Sequence, residues 1–98
     1  MRVSSQVTQF DWDAGNRDKN KLKHAVEYWE CEEVFFDPRK AILKDVLHSE
    51  REVRFVLLGK TKQGRLLFIV FTMRNTSIRV ISARDINQKE VYLYEKAA

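Results

Sequence analysis

Cysteine, proline and glycine are scarce here, with one, one and three copies in 98 residues. A single cysteine, Cys31, cannot form an internal disulfide, so a reducing, cytoplasmic setting is expected. Cys31, His24 and His48 do not have metal-ligand spacing, and no glycine-rich phosphate loop occurs. Neither a metal nor a nucleotide cofactor is expected. The longest apolar run, Leu66 to Phe71, falls far short of the roughly 20 residues a membrane helix needs. The stretch Met1 to Gln6 lacks the apolar core of a secretory signal. Repeats, low-complexity stretches and linkers are absent as well.

What is present is charge and a modest apolar content. Hydrophobic residues make up 44% and charged residues 33%, which suits a small soluble domain rather than a disordered chain. A chain of 98 residues holds one core. We therefore expect a flexible tail over 1–6 and one domain over 7–98. The net charge of +4 is unevenly spread. Residues 1–50 carry 8 Lys and Arg against 10 Asp and Glu, a balance of −2. Residues 51–98 carry 10 against 4, a balance of +6, which suits a phosphate-bearing or acidic partner.

Periodicity orders the elements. Val7 to Trp12 alternates as a short edge strand. Asp13 is placed to cap a first helix over Ala14 to His24. A second helix buries Cys31, Val34 and Phe35 and stops at Asp37-Pro38. The period then changes from 3.6 to 2. Lys40 to Val46 and Glu52 to Gly59 read as strands, and Thr61 to Gly64 as a turn whose glycine takes positive φ. Arg65 to Met73 is apolar on both faces, as a central strand must be. Asn75-Thr76 turns the chain into a last strand, Ser77 to Ala83. Asp85 is expected to cap a final helix, Ile86 to Glu95. Phe35, Phe36 and Trp29 read as core. Tyr92 and Tyr94 are expected on one face of the last helix, packed on the sheet or on a partner. The fold class is α+β, a small antiparallel sheet with two N-terminal helices and a C-terminal helix.

That order resembles the RelE-like microbial ribonuclease fold, and the residues resemble the BrnT toxins of type II toxin–antitoxin pairs. The resemblance starts at Phe10-Asp11-Trp12-Asp13 and continues through Asn20, Lys23-His24, Glu33-Val34-Phe35 and Asp37-Pro38. It goes on through Asp45, His48-Ser49, Glu52, Arg54, Gly59, Gly64-Arg65-Leu66-Leu67, Thr72 and Arg74. Its most specific stretch is Ile78 to Arg84, followed by Glu90 and Tyr94-Glu95. Three positions depart from the family. Ala25 stands where glycine is usual, so the turn there is expected to avoid positive φ. Asp85 and Val91 replace basic residues and weaken the positive patch. The resemblance implies a ribosome-independent endoribonuclease that inhibits translation and growth. It also implies a BrnA-type ribbon-helix-helix antitoxin, which neutralises the toxin and binds operator DNA. Because such antitoxins dimerise, a 2:2 complex is expected.

Metal-free RNA cleavage uses the substrate's own 2′-OH as nucleophile. The site must take that proton, neutralise the phosphorane and protonate the leaving oxygen. Arginine suits the second task because its planar fork donates two parallel bonds and keeps its charge. Arg79 and Arg84 are the candidate catalytic arginines, and Arg65 and Arg74 the candidate RNA contacts. Arg74 and Arg79 lie on neighbouring strands, where both can reach one phosphate. Alternatively, Arg79 pairs with a helix carboxylate such as Glu90. His24, beside Lys23, titrates near neutrality and is a candidate for proton transfer, or else a partner of the helix dipole. Glu90 is a base or, alternatively, the orienting partner of Arg84. His48, near Asp45 and Ser49, reads as a loop residue, because residues so close in sequence rarely form a triad. A binding module of the same fold, without turnover, is the second reading of the whole chain.

Overall fold

The computed structural model describes residues 9–12, 24–45 and 52–97. The expected tail, nearly all of the first helix, Lys23 and His48 lie outside the described residues. In chain order come β1 (Gln9–Phe10), α1 (Tyr28–Phe35), β2 (Ala41–Asp45), β3 (Arg54–Lys60), β4 (Leu66–Arg74), β5 (Ser77–Asp85) and α2 (Gln88–Ala97). The strands form one sheet ordered β1-β5-β4-β3-β2. From β2 to β5 it is an antiparallel meander, but β1 pairs with β5 in parallel. The sheet is therefore mixed rather than wholly antiparallel, since β1 and β5 are far apart in sequence and no hairpin dictates their sense.

The apolar alternation of β4 explains the layering. Leu67, Ile69 and Phe71 face α1 and join Val26, Cys31, Val34, Phe35, Leu57, Ile78, Val80 and Ala83 in the main core. Leu66 and Phe68 face the other way, toward Ala41, Leu58 and Tyr94 under α2. Phe35 packs edge-on against Phe10 and Phe71, at centroid distances of 5.3 and 5.0 Å. Burial pushes the Cys31 thiol up to about 12, so it behaves as a core hydrophobe. Phe36 and Trp29 are exposed, against expectation. Phe36 lies beyond the last turn of α1, and Trp29 sits on its outer face. Likewise Tyr94 is buried while Tyr92 is 63% exposed, because a two-residue step on a helix leads to opposite faces.

Glycine is needed at two positions, Gly64 and Gly59. Gly64 takes φ +92 in the β3–β4 connection. Gly59 lets α1 approach β3, since a Cβ there would stand 2.6 Å from Val34 Cγ1. Asn75 closes the β4–β5 hairpin at φ 57, a conformation asparagine tolerates. Ala25 overturns its expectation and adopts φ 54. Its carbonyl and that of His24 accept from Arg65 Nη1 and Nη2, at 2.9 and 3.2 Å. Those bonds help hold a left-handed alanine in place. Asp85 does not cap the last helix either, because it ends β5. Asn87 takes that role. Its Oδ1 accepts from the Glu90 N–H and Glu90 Oε1 accepts from the Asn87 N–H, each at 2.9 Å.

Candidate functional site

One irregularity in β5 decides how the candidate residues are arrayed. Val70 pairs with Ser82, whereas its neighbour Phe71 pairs with Val80, leaving Ile81 as an extra residue. In a regular strand Arg79 and Arg84 would point to opposite faces. The bulge lets Ile78, Val80 and Ala83 all enter the main core. Arg79, opposite Thr72, and Arg84, opposite Phe68, then share the face that carries α2. At roughly 3.3 Å per residue they stand about 15 Å apart, too far to hold one phosphate together.

At the α2 end, the Arg84 guanidinium lies 4.0 Å from the Phe68 ring centroid. It donates to Glu90 through Nη1 at 2.9 Å and Nη2 at 2.7 Å, a two-pronged pair. That hydrogen bonding holds the Glu90 carboxyl below its ordinary range. A carboxylate so stabilised is a poor proton acceptor near neutral pH. Glu90 thus pairs with Arg84, and the carboxylate 3.7 Å from Arg79 belongs to Asp11.

Arg65 lies next to this end, on the α1 side. Its Nε and Nη2 donate to Asp85 at 2.7 and 3.1 Å, and Nη1 donates to Glu30 at 3.0 Å. With the two carbonyls of residues 24 and 25, these bonds occupy the whole fork inside the protein. The bond from Arg65 lowers the Asp85 carboxyl, with a smaller contribution from nearby His24. His24 itself is exposed. The structure therefore groups His24, Arg65, Arg84, Asp85 and Glu90 at one end of the sheet.

Arg74 and Arg79 gather at the other end. Arg74 opposes Ser77 and Arg79 opposes Thr72, so the two are diagonal neighbours on one face. Such neighbours have Cβ atoms about 7–8 Å apart, within reach of long side chains. Arg74 faces Glu52 at 3.9 Å. Both ion pairs are longer than a direct hydrogen bond and partly exposed. A third arginine, Arg54, stands opposite Thr72 from the β3 side. Its place in the order Glu52, Arg54 was visible in the sequence, but only strand register shows that it faces Arg79 across Thr72. Among the described residues, no three His, Cys, Asp or Glu side chains gather as metal ligands. Nor, among them, is any helix long and apolar enough to cross a membrane.

Arg84 at one end and Arg54, Arg74 and Arg79 at the other thus lie on one face of the sheet of an α+β domain. The comparisons make the class definite. Residues 12–90 match the family model described as ribonuclease toxin, BrnT, of type II toxin-antitoxin system. The chain belongs to that family. Its fold is similar to the crystal structure of the Brucella abortus ribonuclease toxin, BrnT, with a TM-score of 0.62 and 18% identity. That likeness covers 82% of this chain and 97% of the other. No curated protein matches the chain.

Proposed function

We propose that this member of the BrnT family is a cytoplasmic, ribosome-independent endoribonuclease that needs no metal and whose activity inhibits translation and growth. On this reading its architecture is a variant of the RelE-like fold. The observation that supports the reading best is the placing of Arg79 and Arg84 on one sheet face by the Ile81 bulge. RNA laid along that face meets Arg74 and Arg79 first and Arg84 farther on. Arg79 stabilises charge on the phosphorane, and Arg74 holds the same or an adjoining phosphate. Arg84 is oriented by Glu90. Arg65 acts indirectly, by fixing the end of the sheet near His24. His24 is the candidate for proton transfer, with Lys23 beside it in sequence. Incubating the purified protein with RNA in excess EDTA tests this directly. Cleavage leaving 2′,3′-cyclic or 3′-phosphate ends is expected, and intact RNA with the folded protein overturns it.

The proposed antitoxin is a BrnA-type ribbon-helix-helix protein that binds operator DNA itself. Its dimer engages two toxin chains in a 2:2 complex, over the face near Arg74, Arg79 and α2. Association rates at low and high salt, with Arg74→Glu and Arg79→Glu, test the placing. Rates indifferent to both changes put the interface elsewhere. A second reading, a binding module without turnover, is favoured by the carboxylates that sit beside Arg65, Arg74, Arg79 and Arg84.

A further inference from the structure

The register across the middle of the sheet sets four side chains in a row on the face that carries Arg79. Asp45 on β2 opposes Arg54 on β3, Arg54 opposes Thr72 on β4, and Thr72 opposes Arg79 on β5. Directly opposed residues have Cβ atoms about 5 Å apart, so Arg54 and Arg79 flank Thr72 at about 10 Å from each other. Thr72 is only 2% exposed, and its hydroxyl donates to the Val53 carbonyl at 2.8 Å. It forms a short, closed floor between two long cationic side chains that are both half-buried. The row ends in carboxylates, Asp45 beyond Arg54 and Asp11 beyond Arg79. Positive charge is therefore concentrated over Thr72, with negative charge at both margins.

We propose that Arg54, with Arg79, grips an RNA phosphodiester over Thr72. This rests on the ribonuclease reading only in taking the anion to be an RNA phosphate. Two planar forks approaching one phosphate from opposite sides can each donate to its non-bridging oxygens. The margin carboxylates repel neighbouring phosphates and so fix which one enters the middle. Arg74, diagonal to Arg79, meets the next phosphate along the chain.

The test uses the full chain and a short single-stranded DNA oligonucleotide, which lacks the 2′-OH and cannot be cleaved. Affinity is measured over a range of salt for the wild type, Arg54→Ala, Arg54→Gln and Lys62→Ala, with circular dichroism to confirm folding. Losing one phosphate contact should lower the slope of log affinity against log salt by about 0.7, and weaken binding about fivefold near 0.1 M salt. Lys62→Ala, in the distant β3–β4 turn, should change neither. In the wild type, the Arg54 Nε–H nuclear resonance should shift as the oligonucleotide is added, whether or not the variants fold. Unchanged slopes in a folded Arg54 variant, or a stationary Arg54 resonance, overturn the proposal. So does an Arg54 variant that slows only antitoxin association, because the row is then a protein contact. If the wild type fails to cleave RNA but the slope still falls in Arg54→Ala, the phosphate grip stands and the ribonuclease reading fails.

Discussion

Arg79 and Arg84 project from the same sheet face although the step from one to the other is an odd number of residues, because Ile81 is inserted between their registers. The two arginines nevertheless differ in their surroundings. Arg84 is tied to Glu90 by two short bonds, whereas Asp11 lies 3.7 Å from Arg79. Arg79→Ala should remove ribonuclease activity and leave the fold intact. Losing one preorganised charge donor costs on the order of 3–4 kcal/mol of barrier. Arg84→Ala should in addition destabilise the protein, because Glu90 is left with its side chain only 14% exposed and no counter-charge. Adding Glu90→Ala to Arg84→Ala should restore part of that stability. Thermal melts and RNA cleavage of the three variants separate the two roles, and equal melting losses for Arg79→Ala and Arg84→Ala would contradict them.

Ala25 offers a test of backbone strain. A non-glycine residue in left-handed geometry costs roughly 1–2 kcal/mol, and glycine escapes that penalty at some cost in unfolded-state entropy. At φ 54, Ala25→Gly should therefore stabilise the fold by about 0.5–1 kcal/mol and raise the melting temperature by a few degrees. The same exchange at Ala41, buried at the start of β2 against Leu58 and Tyr94, should destabilise.

These results show where the sequence was legible. The two-faced apolar run of β4, the burial of Cys31, Val34 and Phe35, and the positive φ of Gly64 follow from local patterns that one residue step decides. The parallel pairing of β1 with β5 and the Ile81 bulge do not, since both depend on contacts between distant segments. For the site, sequence pointed to the arginines and to the pairing of Arg84 with Glu90, but not to the carboxylates beside Arg65, Arg74 and Arg79. The position of Asp85 suggests a helix cap, yet the end of β5 facing Arg65 gives its carboxylate a stronger partner than a backbone N–H. The positive φ of Ala25 is not legible from residue type, because the Arg65 fork that holds its carbonyl lies forty residues away in sequence.

Gly59 should be sensitive to a single methyl. Its added Cβ would meet Val34 Cγ1 at 2.6 Å and the Val34 carbonyl oxygen at 3.2 Å, so helix and strand must separate. Overpacking of this kind costs about 1–3 kcal/mol. Gly59→Ala combined with Val34→Ala should lose less than the sum of the two single changes, because the shorter side chain removes the closest clash. Additive losses in urea melts would show that the approach of α1 to β3 is not what glycine serves.

Acid should release α2 before the rest of the core. Tyr94 donates its hydroxyl to Asp37 Oδ2 at 2.7 Å, and the Lys60 N–H donates to the same oxygen at 2.8 Å. The Arg39 N–H donates to Oδ1 at 2.9 Å. Burial pushes the Asp37 carboxyl up, but these three hydrogen bonds outweigh it and hold the group below its ordinary value. Glu90 and Asp85 are lowered by their bonds from Arg84 and Arg65. A carboxyl whose folded value is depressed binds more protons unfolded than folded. Its stabilisation is complete above the unfolded value, about 3.9 for Asp and 4.3 for Glu, and fades as pH falls through the folded one. Stability should therefore be flat between about pH 5 and 7 and should drop below about pH 4. The Tyr94 hydroxyl, pushed up to about 12 by burial and by Asp37, keeps its proton throughout that range. Tyr94→Phe deletes a hydrogen bond to a charged group, which costs about 1.5–3 kcal/mol. Because Asp37 then loses one of its three donors, its folded value moves up toward the unfolded one, so the acid loss of stability should also shrink, with the same onset and an end reached at higher pH. Hydrogen exchange at α2 amides should rise first in wild type below pH 4, and already near neutral pH in Tyr94→Phe. Uniform exchange across α1, α2 and the central strands in both proteins would show that Asp37 and Tyr94 do not hold the helix in place.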